Sequence, residues 1–130
     1  MTEVKLKFGN EFEGEMTAST CKLNIGTKDG MLSPYELLAG GLGACLFATF
    51  QEIIEKMRLD FDECNLEVKI DKRDTVPTTA KWIMVKGTLE GADLTKKDKY
   101  ERAFKLATEH CSIYQTMSCV SEMKWELEYV

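Results

Sequence analysis

Hydrophobic and polar positions alternate at the start of the chain. Val4, Leu6 and Phe8 are interleaved with Lys5 and Lys7, the period-two pattern of a half-buried strand. Gly9-Asn10 follows as a turn signal that favours a tight hairpin. A second strand is predicted around Glu11 to Ala18, and a third carries Cys21, Leu23 and Ile25 on one face. Gly26-Thr27-Lys28-Asp29-Gly30 reads as a loop. The period then changes. Ser33-Pro34-Tyr35-Glu36 places serine at an N-cap, proline at the first helical position and glutamate three residues past the cap. The helix it opens is predicted to run to about Met57 or Arg58. From Leu37 to Phe50 it is apolar on every face, so central burial is expected. Beyond that, Phe50, Ile53, Ile54 and Met57 form one stripe, with Gln51, Glu52, Glu55 and Lys56 outside it. Gly40, Gly41 and Gly43 each cost this helix roughly 1 kcal/mol against alanine. Close approach of another backbone is the expected compensation.

Strands return at Asn65 to Asp71, with Leu66, Val68 and Ile70 on one face, and at Lys81 to Glu90. A polar turn containing Pro77 separates them. Thr95 as an N-cap, with Asp98 three residues later, predicts a second helix whose stripe is Tyr100, Ala103, Phe104, Ala107 and Cys111. Ser112 and Gln115 repeat the capping-box spacing and predict a short helix from Ser112. Met123 to Tyr129 closes the chain as a strand with Trp125, Leu127 and Tyr129 on one side. The order β-β-β-α-β-β-α-(α)-β predicts an α+β fold with a largely antiparallel sheet and a long central helix.

Composition narrows the function classes. A chain of 130 residues with 44% hydrophobic and 30% charged residues suits one globular domain, residues 1–130. A net charge of −5 disfavours a phosphate-backbone partner, so no nucleic acid is expected. The longest apolar run, Leu37 to Phe50, falls short of the roughly 18 to 20 residues of a membrane span. The N-terminal alternation lacks a signal-peptide core, so the expectation is a cytoplasmic protein with no membrane partner. The 5 cysteines, at positions 21, 45, 64, 111 and 119, are odd in number, which argues against a disulfide framework in a reducing compartment.

Cysteine is the one convincing chemical handle. His110 is the lone histidine and no cysteine pair has C-x-x-C spacing, so neither metal nor cofactor is expected. Gly40-Gly41-x-Gly43 has only a superficial likeness to a phosphate loop, because it lies inside an apolar helix after the cap. Cys45 lies about three turns into that helix and could be a small core residue or a reactive thiol. Cys111 precedes an expected N-cap, where backbone N–H groups favour a thiolate, although a helix-end core residue would also sit there. Cys21 and Cys64 read as structural.

The segment Ser33-Pro34-Tyr35-Glu36-Leu37-Leu38-Ala39-Gly40-Gly41-Leu42-Gly43-Ala44-Cys45 resembles the signature of the OsmC/Ohr family, the osmotically inducible protein C and organic hydroperoxide resistance proteins. Cys111-Ser112-Ile113-Tyr114 resembles the family's second, Cys-Pro-x-Ser-like segment. The resemblance implies an OsmC-like fold and an intertwined homodimer, with sheets from both subunits wrapping two central helices and two sites at the interface. It also implies a peroxidase for organic hydroperoxides and, in some members, hydrogen peroxide. Cys45 would be the attacking cysteine and Cys111 the resolving one, with a dithiol reductant restoring both. The sequence departs from the pattern at three places. Tyr35 falls where the family has an active-site glutamate, with Glu36 one step further round the helix; both are auxiliary candidates. The arginine that such peroxidases use has no counterpart in the N-terminal strands, where Lys22 or Lys28 would be the nearest cations. Ser112 replaces the proline usual after the second cysteine. Two further readings stand beside it: an OsmC-like dimer without peroxidase activity that binds a small apolar or thiol-reactive ligand, and a purely structural or partner-binding dimer whose cysteines are core.

Overall fold

The structure, a computed structural model, describes all 130 residues. The chain forms two compact units, Met1–Leu38 and Ala39–Val130.

The first unit is a three-stranded antiparallel sheet, β1 (Lys5–Phe8), β2 (Glu13–Thr17) and β3 (Lys22–Gly26), in the order β1-β2-β3. Register aligns Leu6 with Met16 and Met16 with Leu23, so the alternation in sequence becomes one apolar face. Lysines and glutamates occupy the other face, where Lys22 pairs with Glu15 at 3.6 Å. Phe8 stands opposite Gly14, where a Cβ would lie 2.4 Å from the ring, so the glycine makes room for the aromatic. Residues 9–12 join β1 to β2, a longer connection than the tight Gly9-Asn10 hairpin expected; Phe12 turns back to stack on Phe8 at 5.8 Å. The expected half-burial of β1 is not observed. Leu6, Phe8 and Leu23 are 52%, 42% and 37% exposed.

The long helix α1 runs Pro34–Lys56. It starts as predicted, with Ser33 and Glu36 exchanging hydrogen bonds: the Ser33 N–H donates to Glu36 Oε1 (3.0 Å) and the Glu36 N–H to Ser33 Oγ (3.4 Å). It ends in a Schellman motif. Arg58 adopts φ 56°, Leu59 N–H bonds Ile54 C=O (3.0 Å) and Arg58 N–H bonds Glu55 C=O (3.1 Å). Burial departs from expectation. Leu42, Gly43, Leu46, Phe50 and Ile54 form a buried stripe, whereas Leu38, Gly40, Ala44 and Ala48 are exposed. The close backbone approach expected at the glycines is also absent within the chain. A Cβ on Gly40 or Gly41 would meet nothing within 4 Å, and one on Gly43 would touch only Val68 Cγ2 at 3.4 Å. By length and composition α1 would also pass as a membrane span, as apolar core helices do.

The second unit contains the rest of α1, a second three-stranded sheet and two more helices. The sheet holds β4 (Glu63–Lys72), β5 (Ala80–Glu90) and β6 (Glu122–Tyr129) in the order β4-β5-β6. β4 and β5 pair antiparallel, but β6 runs parallel to β5. The expectation of a largely antiparallel sheet therefore holds for three of four strand pairings, but the strands divide into two sheets and the fourth pairing is parallel. A parallel neighbour needs a crossover, and α2 (Lys97–His110) with α3 (Ser112–Ser118) supplies it. Thr95 does not cap α2. It lies in a short 3-10 turn, Leu94–Lys96, capped by Asp93, whose carboxylate accepts from the Thr95 N–H at 3.0 Å.

The core forms where α1 and α2 meet the inner sheet face. Ile83, Val85 and Leu89 of β5 are buried, as are Tyr100, Ala103, Phe104 and Ala107 of α2. Phe104 lies 5.3 Å from Phe50 and 5.1 Å from Trp125. Gly87 clears space for it, since a Cβ there would lie 3.3 Å from the ring. The one polar group of Tyr100 is satisfied: its hydroxyl donates to Asp60 C=O (2.5 Å) and accepts from the Asp93 N–H (3.2 Å).

Candidate functional site

The second unit brings Cys45 and Cys111 together across a separation of 66 residues in sequence. Cys45 lies at the edge of the buried stripe of α1, half-buried beside Leu46. Thr49 Oγ1 donates to the Cys45 C=O one turn below, at 2.9 Å. Cys111 is fully buried and forms the joint between two helices. Its N–H closes α2 on Ala107 C=O (2.8 Å), and its extended backbone (φ −71°, ψ 116°) then starts α3. The Cys111 sulfur accepts from the Tyr114 N–H at 3.4 Å, so Cys111 itself is the N-cap of α3. This corrects the expectation that Ser112 caps the helix. Gln115 Nε2 donates to Thr108 C=O (2.9 Å) and braces the joint from the other side.

The side chain freed from capping points elsewhere. Ser112 Oγ lies 3.9 Å from Cys45 Sγ, within the reach of a sulfur hydrogen bond. The sequence offered no role for Ser112 at the site beyond its departure from a proline; a hydroxyl at a helix joint was the one available signal.

The electrostatics separate the two thiols. The Ile113 N–H is the largest influence on Cys45 and draws its pKa below the ordinary thiol value, followed by hydrogen bonding from Cys111. Partial burial opposes this, and the Ser112 hydroxyl and N–H add to it. Cys111 moves the other way. Burial raises its pKa first, the Tyr114 N–H opposes, and the neighbouring Cys45 raises it further. The two shifts run in opposite directions, so the first proton to leave the pair comes preferentially from Cys45. Cys64 on β4 is pushed up to about 11 by burial.

The auxiliary candidates have other engagements. Glu36 is held in the helix cap, and its hydrogen bonds with Ser33 lower its pKa. Tyr35 is half-buried in the first turn of α1. Lys22 pairs with Glu15, and Lys28 with Glu13, within the first sheet. No cluster of three or more His, Cys, Asp or Glu side chains converges as a metal site. An open groove of about 490 Å³ between α1 and β4 is lined by Gly40, Gly43, Phe47, Cys64 and Val68.

Comparison with known proteins agrees with this architecture. Residues 26–126 match the family model described as OsmC-like protein. No curated protein matches the sequence. An OsmC-like protein from Mycoplasma pneumoniae superposes with a TM-score of 0.89 at 11% identity, covering 100% of this chain and 97% of its own. A hypothetical protein from Aquifex aeolicus gives 0.83 at 24% identity, covering 100% and 98%. The organic hydroperoxide resistance protein OhrB of Bacillus subtilis gives 0.77 at 16% identity, covering 98% of both chains. At these identities the superpositions establish a shared fold. With the family match spanning most of its length, the chain belongs to the OsmC-like protein family.

Proposed function

We propose that this protein is a thiol-dependent peroxidase that reduces organic hydroperoxides with Cys45 and Cys111, working as a homodimer in a reducing, cytoplasmic compartment. The observation that carries the reading is the asymmetric cysteine pair: a half-exposed sulfur with a depressed pKa beside a buried thiol whose pKa is raised by burial. Deprotonation and exposure are what an attacking cysteine needs. The Cys45 thiolate attacks the terminal oxygen of R–O–OH. The O–O bond breaks, the alkoxide takes a proton and leaves as R–OH, and the sulfur becomes a sulfenic acid. Cys111 then gives up its proton and attacks that sulfur, releasing water and forming a disulfide. A dithiol reductant returns both cysteines to thiols and becomes a disulfide itself.

Two features of the chain support a second copy as partner. Leu6, Phe8 and Leu23 on the apolar face of β1–β3 are open to water, and so is Gly40 on an apolar helix. The name of the Bacillus subtilis neighbour guides the choice of substrate for the test. With dithiothreitol as reductant, the protein should consume cumene hydroperoxide catalytically. Cys45→Ser should abolish turnover, and Cys111→Ser treated with peroxide without dithiothreitol should accumulate a Cys45 sulfenic acid in place of the disulfide. Consumption by Cys45→Ser at the parent rate would overturn the reading.

One observation favours a second reading, an OsmC-like dimer that binds a small apolar or thiol-reactive ligand without reducing peroxide. Glu36, Lys22 and Lys28, the groups that could tune the thiolate as in the family's peroxidases, are all engaged locally. A ligand-induced rise in melting temperature that survives Cys45→Ser, in a protein inert to peroxide, would support it.

A further inference from the structure

We propose that Ser112 holds Cys45 as a thiolate, its hydroxyl donating a hydrogen bond to Cys45 Sγ. The inference rests on the reading of Cys45 as the attacking group. Its geometric basis is the 3.9 Å contact between Ser112 Oγ and Cys45 Sγ. The backbone explains why that hydroxyl is available. A serine at the start of a helix ordinarily spends its side chain on the cap. Here the Cys111 sulfur takes the Tyr114 N–H instead, which leaves Ser112 at the first helical position with no capping duty. The residue is nevertheless held in place through its main chain, because Thr116 Oγ1 donates to the Ser112 C=O at 2.8 Å. The hydroxyl is thus presented by a fixed backbone.

The groups acting on Cys45 are neutral donors: the N–H groups of Ile113 and Ser112, the Ser112 hydroxyl and the Cys111 thiol, which is the one titratable group among them. Cys111 is occupied as a cap and must lose its proton when it resolves the sulfenic acid, whereas Ser112 can donate throughout the cycle. Held by dipoles rather than by a cation, the thiolate should respond little to salt, since screening acts on charge pairs.

The test follows alkylation of Cys45 by iodoacetamide against pH, read at the peptide level by mass spectrometry on full-length protein. Ser112→Ala should slow alkylation about three- to tenfold at any pH below the parent midpoint, the effect of one modest hydrogen bond. Its ionisation midpoint should move up while the high-pH plateau rate stays unchanged. Ser112→Thr should restore the parent profile. Ser112→Pro, which also removes the N–H, should have the larger effect; the extended Cys111 backbone (φ −71°, ψ 116°) accepts a following proline. Raising salt from about 0.05 to 0.5 M should leave the parent midpoint in place.

A parent-like profile in Ser112→Ala would overturn the proposal. So would a lowered plateau with an unmoved midpoint, which would mean that the sulfur had merely been displaced. The enzymatic reading fails separately: a parent protein that does not consume peroxide, yet whose Cys45 midpoint moves with Ser112→Ala, would keep this inference and lose that one.

Discussion

The two sheets start from the same kind of sequence and end in different states. In β4–β6, alternating apolar residues lie under α1 and α2, and Ile83, Val85 and Leu89 are buried. In β1–β3, the same alternation gives a face on which Leu6, Phe8 and Leu23 are open to water. Alternation therefore specifies which side of a strand is apolar, not what covers it. Exposed apolar side chains clustered on one sheet mark an interaction surface. That difference is the physical case for a second copy of the chain, and substitutions on the two sheets can separate the contributions.

The largest effect is expected in the covered region. Phe104→Ala removes the ring lying between Phe50 and Trp125 and should destabilise the fold by about 3 to 5 kcal/mol in chemical denaturation. Phe8→Asp addresses the exposed sheet. If the proposed dimer forms through this face, the substitution should yield a monomer in light scattering at micromolar concentration; a parent-like mass would contradict that. Gly40→Ala has a sign that reports on a partner. On an open helix surface it should stabilise by about 1 kcal/mol. Against a packed partner helix it should instead weaken dimerisation, and the account expects weakening, measured as the dissociation midpoint on dilution. Arg58→Gly should raise stability by about 1 kcal/mol, because Arg58 holds a left-handed conformation that glycine adopts without strain.

The last effect, confined to alkaline pH, concerns Cys64. Its folded pKa, about 11, is raised above the ordinary value of 9.0, so the unfolded chain ionises first. Its contribution to stability is whole below about pH 9 and declines as pH rises towards 11. Cys64→Ala should flatten the stability profile across that window.

What could be read from the sequence was what local rules determine. Ser33 and Glu36 mark the start of α1 because a capping box acts over three residues. The strand order and the stripe of α2 follow from periodicity. The end of α1 was legible to within two residues even though arginine, not glycine, takes the left-handed position. Features that depend on long-range pairing were not legible. The parallel register of β6 on β5 arises from the crossover, which alternation does not encode. Cys111 was misplaced by one position because sulfur is an uncommon helix cap. The resemblance, rather than any spacing rule, joined Cys45 to Cys111. Ser112 beside Cys45 lies 67 residues away in sequence and could emerge only once α2 and α3 were in place.

Mass spectrometry of the oxidised protein reads out the chemistry of the cysteine pair. Fully reduced protein would receive one equivalent of cumene hydroperoxide, be quenched within seconds and be mapped by peptide. A Cys45–Cys111 disulfide should be the dominant product, absent in Cys45→Ser, with Cys64 still a free thiol. Slow oxidation scattered over Cys21, Cys45, Cys64, Cys111 and Cys119 would contradict it, because it would mean that the pair is not tuned for peroxide.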